Sequence, residues 1–295
     1  MAIKNYTLEH AGIIPDIFEN KSIFLKAFGG QIQTTVNQES EATFLRLKNI
    51  DSAVVVQNYS TDPDVAFGTG TSNSNRYGER REIKATDVSV PYEAPLSVNE
   101  GVDKLTVNSP DYDEIVSGRV AAITAEWANQ YDKVMGKAIS DNASETLDGE
   151  LTEAGVVKVF NDARKAFVVN KVSKTIGWTA YVTSDVFNLL VDSDLAKTVK
   201  GSTVDIDNGE IYKFKGFELV EVGEKGDELL NDIYFTANGV GVSGIAIEET
   251  RVGQTLDYAG TVIVSVSKLG KHIPEPNKKA IVVANLTEAD ELPEG

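Results

Sequence analysis

The sequence contains no cysteine, and its only histidines are His10 and His272. Without cysteine the chain can form no disulfide, no thiolate nucleophile, no cysteine-ligated zinc site and no iron–sulfur cluster. Two histidines leave little room for the usual histidine-based catalytic and metal sites. We therefore expect no metal site, no cofactor and no catalytic residues.

Long apolar runs are also missing. A helix that crosses a bilayer needs about 18 or more apolar residues in succession, and the sequence has no such run. The N-terminal stretch MAIKNYTLEHAGIIPDIF is interrupted by Lys4, Glu9, His10 and Pro15, so it lacks the unbroken apolar segment of a signal peptide. The sequence therefore predicts no membrane contact and a mature chain that stays in the cytosol where it is made.

Positive charge is scarce, because 28 Lys+Arg stand against 45 Asp+Glu and give a net charge of −17. A chain this acidic is repelled by a phosphate backbone unless its cations cluster. The largest cationic group visible in the sequence is Glu79-Arg80-Arg81 with its surroundings. Specific nucleic-acid binding is therefore not expected, and the net acidity favours solubility. The hydrophobic fraction of 41% is typical of a soluble globular protein.

Two strand-like stretches, Ala42 to Tyr59 and Ile83 to Tyr92, are separated by a Gly-, Ser- and Asn-rich loop at 60–80. Pro91 and Pro95 restrict the second stretch to a sheet edge. The loop lacks the Gly-Lys-Ser/Thr ending of a phosphate-binding loop. An isolated two-stranded ribbon is marginally stable, and its edges can pair with another chain. We predict that the ribbon packs on a neighbouring copy, which also orders a loop that is mobile in the free subunit.

One very long helix follows this ribbon. Ser109 can cap it and Pro110 suits its first position, and continuation to about Ala143 would give a length of ~45–50 Å. Apolar residues recur on one face at three- and four-residue steps: Tyr112, Val116, Val120, Ile123, Trp127, Tyr131, Val134 and Ala138. This stripe favours core packing for Trp127 and Tyr131 over a role in stacking on a ligand.

Helices and strands are both expected in the rest of the chain, so the fold class is α+β. The predicted elements are helices at 15–28, 152–169 and 185–191, and strands at 178–182, 216–222, 261–267 and 280–284. Ser184 is the predicted cap of the third of these helices. Asn208-Gly209 is typical of a type I′ hairpin turn between two strands. The acidic C-terminal segment TEADELPEG is expected to be disordered.

Several short motifs stand in the second half: Trp178-Thr-Ala-Tyr-Val-Thr-Ser-Asp-Val-Phe187, Asn208-Gly-Glu-Ile-Tyr-Lys-Phe-Lys-Gly-Phe-Glu-Leu-Val-Glu-Val222, Tyr258-Ala-Gly260, Leu269-Gly270 and Ala280-Ile-Val-Val283. Together with the order of the elements, they resemble the major capsid protein of tailed bacteriophages. That family has the Hong Kong 97-like fold, which encapsulin shells share. The likeness covers nearly the whole chain and depends mainly on the order of the elements.

The resemblance implies a division of the chain into five parts. These are an N-terminal arm at 1–35, an extended β-hairpin loop at 36–98, a peripheral domain with the spine helix at 99–149, an axial domain at 150–266, and a return to the peripheral domain with the acidic tail at 267–295. Much of the arm is expected to lie on a partner subunit.

The resemblance also implies a function. Copies would form pentamers and hexamers that self-assemble into the icosahedral head of a tailed bacteriophage, enclosing double-stranded DNA through non-specific contact. The subunit would be a virion protein, assembled in the host bacterial cytoplasm as a procapsid that matures. Because the chain starts directly at the arm, a separate scaffolding protein and a portal are implied. An encapsulin-like compartment is the alternative within the fold, and a polysaccharide-acting hydrolase is the alternative of another class.

Three local patterns suggest sites, each with a simpler explanation. Asp205, Asp207, Asn208 and Glu210 are similar to a sparse calcium loop but are out of phase with an EF-hand, and a hairpin turn accounts for Asn208-Gly209.

Gly241-Val-Ser243-Gly244 is one residue short of a nucleophile elbow, and small residues in a packed strand explain it better. Some capsid proteins crosslink neighbours through a loop lysine. Lys84 could correspond to it, but the sequence identifies no partner residues, and surface solubility is favoured.

Overall fold

The computed structural model describes residues 22–29, 33–36, 43–50, 56–62, 65–66, 75–80, 82–83, 85–107, 112–192, 203–205, 210–223 and 230–288. The strands in these ranges are β1 (Gln33–Val36), β2 (Thr43–Ile50), β3 (Ala85–Pro91), β4 (Leu96–Asp103), β5 (Glu145–Glu150), β6 (Trp178–Thr183), β7 (Thr203–Asp205), β8 (Glu210–Phe214), β9 (Phe217–Val222), β10 (Ile233–Ala237), β11 (Val242–Gln254), β12 (Gly260–His272) and β13 (Ile281–Thr287). The α-helices are α1 (Lys104–Val107), α2 (Tyr112–Asp141), α3 (Glu153–Val169) and α4 (Ser184–Asp192), and short 3-10 helices span Phe24–Phe28, Lys174–Ile176 and Glu275–Ala280. None of the described helices is both long and apolar enough to span a bilayer.

The chain divides into two compact units, of which the smaller is Ala42–Pro91. In this hairpin unit β2 and β3 pair antiparallel, with Leu47 opposite Val88. The predicted two-stranded ribbon is therefore confirmed, and Pro91 stands at the end of β3, where an edge strand tolerates proline. The unit is shorter than the predicted loop at 36–98, because β1 and β4 both pair with strands of the larger unit.

A seven-stranded sheet in the order β5-β13-β10-β6-β9-β8-β7 forms the centre of the larger unit. Every residue of β6 and of β10 is buried, which explains their nearly continuous apolar sequences. The ring of Phe160, on α3, packs edge to face on Phe235 of β10 with centroids 4.9 Å apart. Within the sheet, Phe217 of β9 packs on the same Phe235 ring with centroids 5.0 Å apart. The predicted buried strand at 178–182 is thus confirmed as a core strand.

The two helices that flank this sheet begin close to their predicted positions. Thr152 caps α3, because its hydroxyl oxygen accepts from the Gly155 N–H at 3.1 Å. Gly155 is required there, since a Cβ would lie 2.3 Å from the Glu150 carbonyl oxygen. Helix α4 includes Ser184 as its first residue, and the Ser184 hydroxyl donates to the Val222 carbonyl at 3.4 Å. Ser184 therefore ties the helix to β9 rather than preceding it as a cap.

A four-stranded sheet in the order β1-β11-β12-β4 carries the long helix α2. The helix has 30 residues and a length of ~45 Å at 1.5 Å per residue. Its predicted stripe is confirmed as core: Trp127 is only 4% exposed and Tyr131 is fully buried. The Trp127 indole N–H donates to the Ser265 hydroxyl of β12 at 3.1 Å. The predicted cap, Ser109, lies outside the described residues.

Strand pairing differs from the division inferred from the resemblance. The boundary between 266 and 267 falls inside β12, which is continuous from Gly260 to His272. Strand β13 pairs with β10 and β5 of the seven-stranded sheet, whereas β11 and β12 pair with each other in the sheet that carries α2. Strand composition does not reveal which sheet a strand joins, because both sheets need buried β-branched residues.

The N-terminal segment also differs from expectation where it is described. Of the predicted helix at 15–28, the structure describes residues 22–28, which form a 3-10 helix over Phe24–Phe28. Phe24, Ala27 and Phe28 are buried in the chain's own core. The apolar side chains of these residues are thus covered within the subunit. The prediction that much of the arm lies on a partner stays a prediction for residues 1–21, which lie outside the described residues.

The burial of Trp127 leads to a stability prediction. Trp127→Ala should lower the free energy of unfolding by about 3–5 kcal/mol, because it removes a buried aromatic ring and leaves a cavity. Urea unfolding of the dilute subunit, followed by circular dichroism, measures the change. Trp127→Phe, which keeps most of the ring volume, is the matched control and should cost less. A loss below about 1 kcal/mol for the alanine variant would show that this face of α2 is not core.

Candidate interaction surfaces

Beyond the ends of β2 and β3, hydrogen bonds hold the two chain segments of the hairpin unit together. The Gln57 amide donates to the Glu79 carbonyl at 2.9 Å, and its oxygen accepts from the Glu79 N–H at 3.0 Å. A further bond joins the Ser60 N–H to the Arg76 carbonyl at 2.9 Å. Gly78 has φ +82, and a Cβ there would lie 2.1 Å from the Gln57 amide oxygen. The Gln57 side chain thus makes the two hydrogen bonds to Glu79 that a paired backbone residue would otherwise make.

Part of the predicted loop at 60–80 is described and has its own contacts. The Arg76 guanidinium donates to the carbonyls of Val65 at 3.2 Å and Asp62 at 3.4 Å. The rings of Tyr59 and Tyr77 meet edge to face with centroids 5.3 Å apart. The Gly-rich tip at 67–74 lies outside the described residues, so the mobility expected for it stays a prediction.

Among the described residues of the hairpin unit, four large apolar side chains are exposed. Val56 is 92% exposed, Tyr77 80%, Ile83 70% and Tyr59 53%. We call Val56, Tyr59, Tyr77 and Ile83 the hairpin apolar set. Single exposed apolar residues are common on a monomer, whereas several within one small two-stranded unit make that unit a candidate interaction surface.

The N-terminal 3-10 helix, which we call the anchor segment (22–29), is fixed from two sides. From α2, the Asp132 carboxylate accepts from the Ser22 hydroxyl at 2.8 Å and from the Ile23 N–H at 3.1 Å. From β6, the Tyr181 hydroxyl accepts from the Ala27 N–H at 3.1 Å. Burial raises the pKa of Tyr181 above its ordinary value, so this phenol stays protonated. The anchor segment therefore joins α2 to the seven-stranded sheet.

The predicted elbow-like residue Ser243 is fully buried on β11. Its hydroxyl bonds to the Tyr131 phenol of α2, whose pKa is raised by burial. At neighbouring Gly241, a Cβ would lie 2.6 Å from the Phe28 ring. The preference for small residues is thus explained by packing, as the sequence favoured. His272 is the cross-strand partner of Val242, and burial lowers its pKa.

The calcium-like residues are only partly described. Asp205 and Glu210 are directly paired across the β7–β8 hairpin, while Asp207 and Asn208 lie outside the described residues. The antiparallel pairing of β7 with β8 is confirmed, and the turn predicted at Asn208-Gly209 lies outside the described residues. Across the described ranges no group of three or more His, Asp or Glu side chains is arranged to hold a metal ion. Lys84 also lies outside the described residues.

A basic cleft of about 190 Å³ opens at the end of the seven-stranded sheet where β6 and β9 begin. Its lining residues come from α3, the 3-10 helix at 174–176, β6, β8, the β8–β9 turn and β9: Arg164, Lys174, Gly177, Trp178, Lys213, Gly216 and Glu218. Arg164 also donates to the Lys215 carbonyl at 3.4 Å, and Lys26 of the anchor segment forms an ion pair with Glu218. The sequence gives no local signal for this cluster, because its cations lie on three different elements that only the fold brings together.

The anchor segment gives a second prediction. Asp132→Ala should lower the free energy of unfolding by about 1–3 kcal/mol, because it leaves N–H and hydroxyl donors of residues 22–24 without their acceptor. The amides of the anchor segment should also exchange faster with deuterium. Urea unfolding and hydrogen exchange with mass spectrometry measure the two effects.

Asp141→Ala, at the exposed end of the same helix, is the matched control and should change neither measurement appreciably. Equal effects of the two substitutions would mean that the Asp132 contacts do not hold the anchor segment in place.

Comparison of the sequence with known proteins gives no assignment: no protein-family model matches, and no curated protein matches. Comparison with solved structures does. A chain of the mature capsid of bacteriophage PhiM1 is similar with a TM-score of 0.61 and 12% identity over 92% of this chain and 88% of that one. The capsid of cyanophage P-SCSP1u gives 0.63 and 12% over 91% and 89%, and Mycobacterium phage Che8 gives 0.57 and 17% over 84% and 86%. The chain therefore has the fold of bacteriophage capsid subunits, which confirms the predicted α+β capsid fold.

Proposed function

We propose that this chain is the major capsid protein of a tailed bacteriophage, which self-assembles into an icosahedral head enclosing double-stranded DNA. The observation that carries the proposal is a likeness in fold to phage capsid chains that extends over 84–92% of this chain.

The hairpin unit supports this proposal on physical grounds. Its sheet has only two strands, β2 and β3, and such a ribbon is at best marginally stable alone in water. It also carries the hairpin apolar set, which is largely exposed in the single chain. Packing on an adjacent copy would bury these side chains and cover a strand edge. Heterologous contacts of this kind, repeated around closed rings, generate a shell.

The proposal extends to partners and place. Pentamers and hexamers of this chain would form the shell, with a separate scaffolding protein and a portal during assembly in the host bacterial cytoplasm. The chain would then be part of the virion, in non-specific contact with packaged DNA. The subunit would have a structural role and no catalytic centre, in keeping with the capsid structures that it is similar to. These matches support a phage head over an encapsulin-like compartment and over a polysaccharide-acting hydrolase.

Electron microscopy and sedimentation test the assembly. Purified protein, alone and with a candidate scaffolding protein from the same phage genome, should form closed shells seen in negative stain, together with pentamers or hexamers at lower concentration. A compact monomer at every concentration, with or without the scaffold, would overturn the proposal.

The hairpin apolar set gives a sharper prediction. Ile83→Asp and Val56→Asp should reduce the fraction of protein in shells at least about tenfold, because burial of an unpaired charge at an interface is costly. Sedimentation velocity measures this fraction, and unchanged circular dichroism and urea unfolding of the free subunit show that folding is retained.

Asn58→Asp is the matched control, because it adds the same charge at an exposed polar position of the same unit. Hydrogen exchange provides an independent measurement: residues 60–80 should gain protection on assembly. Normal assembly by both aspartate variants, with no gain in protection, would show that the hairpin unit does not lie on a neighbour.

A further inference from the structure

The basic cleft concentrates cations in a chain whose net charge is −17. Arg164, Lys174 and Lys213 line it, and Glu218 is the one carboxylate among the lining residues. That carboxylate is already neutralised by its ion pair with Lys26. In the part of the chain that the structure describes, Arg164, Lys174 and Lys213 form no ion pair with a carboxylate. The cleft therefore offers positive charge to a ligand from outside the subunit.

The dimensions and lining of the cleft indicate the chemistry of that ligand. A recess of about 190 Å³ accommodates one or two side chains, and its floor includes Trp178, which Lys174 covers with its ammonium 5.7 Å from the ring centroid. Ile176, 53% exposed, directly precedes lining residue Gly177. A narrow recess with spaced cations and a nearby apolar side chain fits carboxylates on an extended peptide. A DNA duplex presents a broad cylinder of phosphates, which an acidic surface around a small recess repels.

The sequence contains one compact acidic segment that follows the last described strand. It comprises Glu288, Asp290, Glu291 and Glu294, with Leu292 among them. Strand β13 ends at Thr287, one residue before the first of these carboxylates. The segment therefore offers both the negative charge and the apolar side chain that the cleft and Ile176 can contact.

Strand geometry shows that the first carboxylates of this segment, those of residues 288–291, do not reach the cleft of their own copy. Register pairs Ile281 with Thr236 and Ala237 with Trp178, so β13 starts at the cleft end of the sheet and runs away from it. Its end at Thr287 lies beyond the level of Thr183, about 20–25 Å from the cleft at 3.3 Å per residue. Residues 288–291 span at most about 15 Å even when extended. The carboxylates of residues 288–291 are therefore too far from the cleft of their own copy to contact it.

We propose that the basic cleft binds the acidic C-terminal segment of a neighbouring subunit, with the carboxylates of residues 288–291 held by Arg164, Lys174 and Lys213. This contact rests on the proposed function in that it needs neighbouring copies. It gives the strongly acidic subunits an attractive contact that offsets part of their mutual repulsion.

Peptide binding to the unassembled subunit tests the contact directly. A fluorescein-labelled peptide of residues 286–295, LTEADELPEG, is titrated with the dilute full-length protein and followed by fluorescence anisotropy. Binding should weaken as salt is raised, because exposed charges are screened. The double variant Arg164→Glu, Lys174→Glu should weaken it at least about tenfold. Lys158→Glu, on α3 but outside the cleft, should leave the affinity within about twofold.

Charge exchange separates a direct contact from a structural effect. In the full chain, Asp290→Lys with Glu291→Lys should impair shell formation, and so should the double cleft variant. Combining all four substitutions should restore shell formation, because the exchanged charges again attract. Sedimentation velocity measures the fraction in shells.

Three outcomes would overturn the inference: no binding of the peptide, equal binding of a peptide with Gln and Asn in place of its acids, or no loss in the double cleft variant. If the cleft substitutions weaken the binding of a DNA duplex but not of the peptide, the cleft is a phosphate site instead. Failure here is distinguishable from failure of the proposed function, because the peptide titration uses unassembled protein. Shells without peptide binding remove only this contact, whereas peptide binding without shells removes the capsid proposal.

Discussion

The larger unit depends on the anchor segment, which forms polar contacts with both the long helix α2 and the seven-stranded sheet. The Asp132 carboxylate of α2 accepts from Ser22 and Ile23, and the Tyr181 hydroxyl of β6 accepts from Ala27. Between these contacts Phe24 packs against the Tyr181 ring with centroids 4.8 Å apart. Leaving a buried hydrogen-bonding group without its partner costs free energy. The contacts to Asp132 and to Tyr181 therefore stabilise the same position of the anchor segment. The long helix with its sheet and the seven-stranded sheet are thereby held together by residues from the start of the chain.

The hairpin unit has a different source of stability. Its described contacts are local to the unit: the pairing of β2 with β3, the Gln57–Glu79 bonds and the Tyr59–Tyr77 ring contact. None of these buries much apolar surface, and the hairpin apolar set stays exposed. The larger unit can fold by burying its own core, whereas under the proposed function the hairpin would gain most of its apolar burial from another chain. Folding of the subunit and assembly of the shell would thus use separate parts of the sequence.

Features encoded by local pattern were predictable. The periodic stripe of α2, the start of α3 near Thr152 and the apolar run of β6 each follow from the pattern of neighbouring residues. Contacts between distant residues were not. The sequence around Asp132 does not indicate that its carboxylate binds Ser22. The cations of the basic cleft, Arg164, Lys174 and Lys213, lie on three different elements, and no local pattern brings them together. The sheet joined by β13 was also missed, since parallel pairing with β5 leaves no local signal. The fold was predicted from the order of the helices and strands along the chain, because no single motif was specific enough.

The two ends of the hairpin unit lie side by side, because Thr43 pairs with Pro91. Chain enters and leaves this unit through neighbouring backbone about 5 Å apart. Residues could therefore be added or removed in opposite pairs along β2 and β3 without changing the gap that the rest of the polypeptide must close. Evolution can adjust the reach of such a ribbon, and with it the spacing between subunits, while the interior of each subunit stays the same.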